Sequence, residues 1–203
     1  PVLRFLRQLL LTVLLLALLV LVAAGGYFAV TGHKLYESAI QVTPIDTLYS
    51  SISSREGFVP YAQLPQTYIN AVISAEDSRF THHKGVDPLS IARALWADLR
   101  SGTLAEGGST ITQQLAKNTL FTQEKHLARK AAEMFAALAI EKQYNKEQIF
   151  EMYVNTIYFG SGHYGIGEAA QGYFGKTPLQ LTDAEAVMLA GLPNAPSAYS
   201  PNS

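Results

Sequence analysis

Glu76 is the residue whose position carries the most chemistry. It follows Ile73, Val72 and Ile69 by three, four and seven residues, so a helix sets its carboxylate on an apolar, inward face. A Glu is almost never fully buried unless paired. Burial disfavours the charged form and pushes the pKa upward, which suits a group that moves a proton. Periodicity alone leaves two plainer readings open, a structural carboxylate paired with an Arg and a helix-end carboxylate facing water. Asp77, Phe80, His82 and His83 follow directly.

A second cluster is Gly107-Gly108-Ser109-Thr110 leading into Gln113, Gln114 and Lys117. Lys117 lies i+4 and i+3 from the two glutamines, so amides and ammonium share one helical face. Glycines before a helix N-terminus, with free N–H groups and hydroxyls, can receive an anion or a sugar. A capped surface helix after a loop accounts for the same letters. A third cluster is Lys125, Arg129, Lys130 and Glu133, with Arg129 and Glu133 at i,i+4 and Lys130 and Glu133 at i,i+3. From Lys117 to Lys130 four basic residues stand against one acidic residue. That favours a pyrophosphate or lipid headgroup, and equally an ordinary solvated ion pair worth ~0.3 kcal/mol.

Other chemistries are excluded or unsupported. The chain has no Cys, so disulfides, thiolate metal sites and a Cys nucleophile are absent. No S-x-x-K or G-x-S-x-G occurs, and the five His lack zinc-site spacing. Gly160-x-Gly162-x-x-Gly165 fits a dinucleotide fingerprint by letters, but it follows a helical segment with no βαβ unit around it.

The elements that must position these groups are helical. Pro65 opens the Glu76 segment. Asp87-Pro88 caps a helix carrying Leu89, Ile91, Ala92, Leu95, Trp96 and Leu99 to a stop near Gly102. Residues 101–108 form a loop, expected to be mobile until substrate orders it. Thr110 with Gln113 is a capping box opening a helix to about Leu120. A longer helix runs from about Glu124 to Lys142 with Leu127, Ala131, Met134 and Leu138 as its apolar stripe. Asn145 caps another with Ile149, Tyr153 and Ile157, and Thr182 with Glu185 caps the last, closed by Gly191 and Pro193. The fold class is mainly α.

Charged residues make up 15% of the 203-residue chain, against about 25% in ordinary soluble domains. The deficit lies in residues 9–30 (LLLTVLLLALLVLVAAGGYFAV), within an uncharged run from Gln8 to Gly32. Twenty-two residues make a helix of roughly 33 Å, enough for a ~30 Å hydrocarbon core. The expected organisation is a cytoplasmic end at 1–8, a transmembrane signal-anchor helix at 9–30, a stalk at 31–57 with a short strand near Leu48–Ile52, and one domain at 58–203. Arg4 and Arg7 before the span favour a cell-membrane protein with a cytoplasmic N-terminus and the domain outside. The start at Pro1 suggests missing upstream residues, and Val22-Ala23-Ala24 offers a cleaved signal peptide as the alternative. Residues 35–203 carry 12 basic against 16 acidic residues, a balance unsuited to nucleic acid.

Five ordered blocks carry a resemblance across roughly residues 58–201: EDSRFTHHKG at 76–85, GGSTITQQLAKN at 107–118, RKAAE at 129–133, KEQIFEMYVNTIYFGSGHYGI at 146–166 and LTDAEAVMLAGLPNAPSAYSP at 181–201. The chain resembles the peptidoglycan glycosyltransferases, glycosyltransferase family 51, which comprises monofunctional transglycosylases and the N-terminal domains of bifunctional penicillin-binding proteins. The resemblance implies a lysozyme-like helical fold with a small mobile lobe near the membrane, and a domain continuing beyond Ser203. It implies polymerisation of lipid II into glycan strands, with lipid II, the nascent strand, the bilayer and other cell-wall synthesis proteins as partners.

By the same resemblance Glu76 matches the catalytic base and Glu133 a second essential carboxylate at the donor pyrophosphate, acting through a divalent cation (Mg2+ or Mn2+) in one reading. No organic cofactor is implied. Lys117, Lys125, Arg129 and Lys130 match positions that hold the diphosphate, with Lys125 standing where members often have Arg. Ser109, Thr110, Gln113 and Gln114 match sugar- and phosphate-contacting positions, and Asp77, Phe80 and His83 complete the implied substrate-binding set. A lysozyme-like hydrolase and an inactive membrane-tethered binding module are the competing readings.

Overall fold

The computed structural model describes residues 2–102, 107–122 and 127–194. Its helices are α1 (Val2–Val42), α2 (Leu48–Ser53), α3 (Gln66–Glu76), α4 (Pro88–Ser101), α5 (Ile111–Leu120), α6 (Leu127–Gln143), α7 (Lys146–Val154), α8 (Ile166–Phe174) and α9 (Asp183–Gly191). Short 3-10 turns join several of them, and no strand occurs among the described residues beyond a single bridge, Tyr158 to Tyr164. The mainly α expectation holds.

The apolar run lies in α1, which is 41 residues long and leaves that run unburied. The helix does not stop where the run stops. Gly32 sits against α6, where a Cβ would stand 2.5 Å from that of Ala131 and 2.8 Å from the Ala128 carbonyl oxygen. His33 and Tyr36 continue the contact against Phe135. Residues 31–57 are therefore no stalk: helix, 3-10 turn and α2 follow one another, with Leu48 and Ile52 in the core. A spacing of four puts Leu48 and Ile52 on one face in a strand and in a helix alike, so their pattern could not separate the two.

The core gathers α3, α5, α7, α8 and α9 around Tyr68, Leu115, Phe150, Tyr153 and Ile166. Capping boxes start α5 (Thr110 with Gln113), α7 (Asn145 with Gln148) and α9 (Thr182 with Glu185). In α6 the buried stripe is Ala132, Glu133, Ala136, Ala137 and Ile140, while Leu138 is exposed. The expected stripe followed side-chain size. Small residues instead let α1 and α5 close onto α6.

Helix α4 departs furthest from expectation. Asp87 caps it through the Leu89 N–H (3.1 Å) and Gly102 ends it at φ 70°, but no α4 residue is buried. Trp96 is 68% and Leu99 82% exposed, so this side of the helix faces outward. The Gly160–Gly165 segment is a turn after α7, all three glycines having positive φ. At Gly165 a Cβ would also press on the Asn155 carbonyl.

Candidate active site

Glu76 is the last residue of α3, and the chain turns sharply at Asp77. That turn places the Glu76 side chain in a cleft of about 780 Å³ bounded by α4, α5 and α6. Ile91 and Leu95 of α4 supply an apolar wall; Ser109, Gln114 and Lys117 line a second side, and Arg129, Lys130 and Glu133 a third. The three clusters that were far apart in sequence therefore meet in one cavity.

The two glutamates of the cleft differ, and Asp98 of α4 is a further carboxylate in its lining. Glu76 Oε2 accepts a 2.7 Å hydrogen bond from Gln114 Nε2, while Oε1 is shielded from solvent and has no partner among the described residues. Two buried tyrosines stand in its surroundings. Tyr153 donates to Gln114 Oε1 at 3.2 Å, and Tyr68 carries a buried hydroxyl without a partner. Burial, then the nearby Glu76 charge, raises the pKa of both tyrosines far above the ordinary phenol value, so both stay protonated. Glu133 is 2% exposed and saturated: Arg129 Nε lies 3.1 Å from Oε1 and Lys130 Nζ 3.2 Å from Oε2. The Arg129 contact is an ion pair without a directed hydrogen bond from Nε, while its Nη1 donates to the Thr122 carbonyl at 3.2 Å. Lys130 also hydrogen-bonds Ser109 Oγ, joining the second cluster to the third. Lys117 lines the cleft with no ion-pair partner among the described residues.

Not every expected site residue reaches the cleft. Phe80 is buried against Phe150, and His83 is buried beneath the site. The Gly85 N–H donates to His83 Nδ1 (3.2 Å), so Nε2 carries the proton given to Asp77 (2.9 Å). Asp77 also accepts from the Ile111 N–H (3.0 Å) and thereby pins the start of α5 to the end of α3. Phe80 and His83 are thus scaffold rather than substrate contacts. Asp77 touches only a small polar niche of about 80 Å³ behind Glu76, shared with Thr110 and Arg93. Thr110 and Gln113 spend their side chains on the α5 cap, although Gln113 also borders the cleft. Lys125 lies outside the described residues, as do residues 103–106 of the loop expected at 101–108.

Sequence reasoning missed Tyr68 and Tyr153, whose helical spacing reads as core; a buried hydroxyl needing a partner was the available signal. It also missed the cleft-facing side of α4. The divalent cation expected at Glu133 does not fit the residues present. Both oxygens already face cations, and no group of three or more His, Asp or Glu suited to a metal occurs among the described residues.

Comparison with known proteins bears on the same blocks. A family model described as Transglycosylase matches residues 43–203. The chain is 47% identical over 155 residues to penicillin-binding protein 1A of Aquifex aeolicus, covering 76% of this chain and 21% of the relative. It is 41% identical over 199 residues to penicillin-binding protein 1A of Haemophilus influenzae, covering 98% and 23%. For penicillin-binding protein 1A of Escherichia coli the figures are 50% over 139 residues, covering 68% and 16%. The chain spans about a fifth of the length of these relatives.

Proposed function

The chain belongs to the transglycosylase family, and from that premise we propose that its cleft polymerises lipid II into peptidoglycan glycan strands, with Glu76 as general base. The observation that carries the reading is the unpaired, shielded Oε1 of Glu76 in a cleft whose far wall is the Arg129–Lys130–Glu133 charge cluster.

Glu76 takes the proton of the acceptor's GlcNAc 4-hydroxyl. That oxygen attacks the anomeric carbon of the growing strand, a new C1–O4 bond forms, and the bond from C1 to the phosphate oxygen breaks. Undecaprenyl pyrophosphate leaves with the electron pair, and one displacement inverts α to β. Negative charge grows on the departing oxygen, where Arg129, Lys130 and Lys117 stabilise it most in the transition state. Glu133 holds Arg129 and Lys130 in place, and no step requires a covalent enzyme intermediate.

Membrane attachment follows from the same premise. The apolar run of α1 spans the bilayer with the domain on the outer side, and the exposed Leu89, Trp96 and Leu99 of α4 rest against the lipid that carries the substrate.

Lipid II turnover in detergent, read out by strand length, tests the reading. Lengthening strands with release of undecaprenyl pyrophosphate are expected. Shortening of preformed strands would indicate a lysozyme-like hydrolase, and binding without turnover an inert module.

A further inference from the structure

The hydroxyl of Tyr153 is buried, has one partner, and that partner is the side chain that touches the base. Tyr153 Oη donates to Gln114 Oε1 at 3.2 Å, and Gln114 Nε2 donates to Glu76 Oε2 at 2.7 Å. An amide can be turned end for end at little cost in shape, so its two neighbours decide which end faces the carboxylate. An ionised Glu76 accepts from the nitrogen. The oxygen then points at the buried Tyr153 hydroxyl, its one donor among the described residues. A Phe at 153 would leave it without one.

Resting on the reading of Glu76 as base, we propose that Tyr153 is a positioning residue of the reaction. Its hydroxyl holds the Gln114 amide with the nitrogen toward Glu76, which keeps the carboxylate ionised and leaves Oε1 as the single oxygen free to accept the proton.

The chemistry in the neighbourhood supports this division of labour. The groups around Glu76 are Tyr68 on its own helix, Asp77 beside it, Arg93 and Asp98 from α4, Gln114 and Lys117 from α5, Arg129, Lys130 and Glu133 from α6, and Tyr153 from α7. Asp77 is occupied by His83 and Ile111, and the α6 cations by Glu133. Gln114 is the one described donor that reaches Glu76, so the direction of its amide is what the carboxylate senses. With the amide reversed, its oxygen would face Oε2 and a hydrogen bond there would require a protonated Glu76. Tyr153 thus favours the basic form without touching it.

The test is the pH profile of lipid II polymerisation for Tyr153→Phe, Gln114→Met and the double variant, in the full chain. Tyr153→Phe should move the acid limb upward by about 0.5–1 pH unit, the effect of one hydrogen bond on one protonation state. It should lower kcat roughly three- to tenfold on the acid side. KM for lipid II should stay near wild type, so that the change lies in kcat and its pH dependence, which a purely structural tyrosine would not give. Gln114→Met should move the limb the same way, and the double variant should add nothing further. An unmoved acid limb in Tyr153→Phe, or full additivity in the double variant, would overturn the proposal. If Glu76→Gln retained activity, the reading of Glu76 itself would fail; with Glu76→Gln inactive and the limb unmoved, only the role of Tyr153 fails.

Discussion

The cleft holds two glutamates in opposite surroundings. Glu133 has a cation on each oxygen; Glu76 has one amide on one oxygen and nothing on the other. A carboxylate between two cations is a poor proton acceptor and a good fastener. A shielded carboxylate with no cation paired to it among the described residues is a poor fastener and keeps a lone pair for a substrate. Residue type therefore says little about role here, and the charge of the nearest neighbours says most.

The largest effect should come from removing basicity while keeping shape. Glu76→Gln should lower kcat by about 10²–10⁴-fold, the range for a general base. Affinity for a phosphoglycolipid inhibitor of the moenomycin type should persist, and Tm should be unchanged or higher, because a buried oxygen without a partner is no longer ionised. Activity within about tenfold of wild type would abolish the contrast between the two glutamates.

Glu133→Gln should behave differently in every measurement. Freed of their shared anion, Arg129 and Lys130 lose their fixed spacing, and kcat/KM should fall about tenfold to a hundredfold. Stability should also fall, by about 1–2 kcal/mol in urea unfolding, discounted because Lys130 is half exposed. A Tm equal to wild type would mean the pair is no fastener.

Arg129→Ala sharpens the comparison from the cation side. It should lower kcat/KM and weaken moenomycin-type inhibitor binding, each about tenfold, with a smaller change in Tm than Glu133→Gln. Inhibitor affinity equal to wild type together with a lowered Tm would make the cluster a structural ion pair.

A third carboxylate, Asp87, offers the smallest effect and a control away from the cleft. Its burial favours the protonated acid, but hydrogen bonds from Ser90 and Leu89 with the charge of Arg79 outweigh burial and hold its pKa below the ordinary value of 3.8. The stabilisation is thus present above about pH 3.8 and is lost as pH falls through the lower, folded value. The stability gap between wild type and Asp87→Asn, about 1 kcal/mol or less near neutrality, should close below that pH. A gap constant down to pH 2.5 would contradict the assignment.

The sequence made the helical class, two capping boxes, the Asn145 cap and the Asp87-Pro88 start readable, because these depend on neighbours within four residues. Glu76 was readable as inward-facing for the same reason. The outward face of α4 was not, since Leu89, Trp96 and Leu99 have the spacing of a buried stripe and only the surrounding fold shows that nothing covers them. The buried alanine stripe of α6 was masked by its larger leucines. His83 and Phe80 sit among the residues that resemble a known site, yet they support it from below; spacing cannot distinguish a contact from the contact's foundation.

The close approach at Gly32 ties two lengths together. The apolar run ends at Val30, and Gly32 meets α6 between Ala128 and Ala131, the interval that contains Arg129 and Lys130. At ~1.5 Å per residue, that backbone contact lies about 3 Å along α1 from the last residue of the apolar run. On the proposed embedding of α1, the helix would act as a depth gauge: the height of the cluster above the bilayer would follow from a count of residues, with α1 unbroken in between.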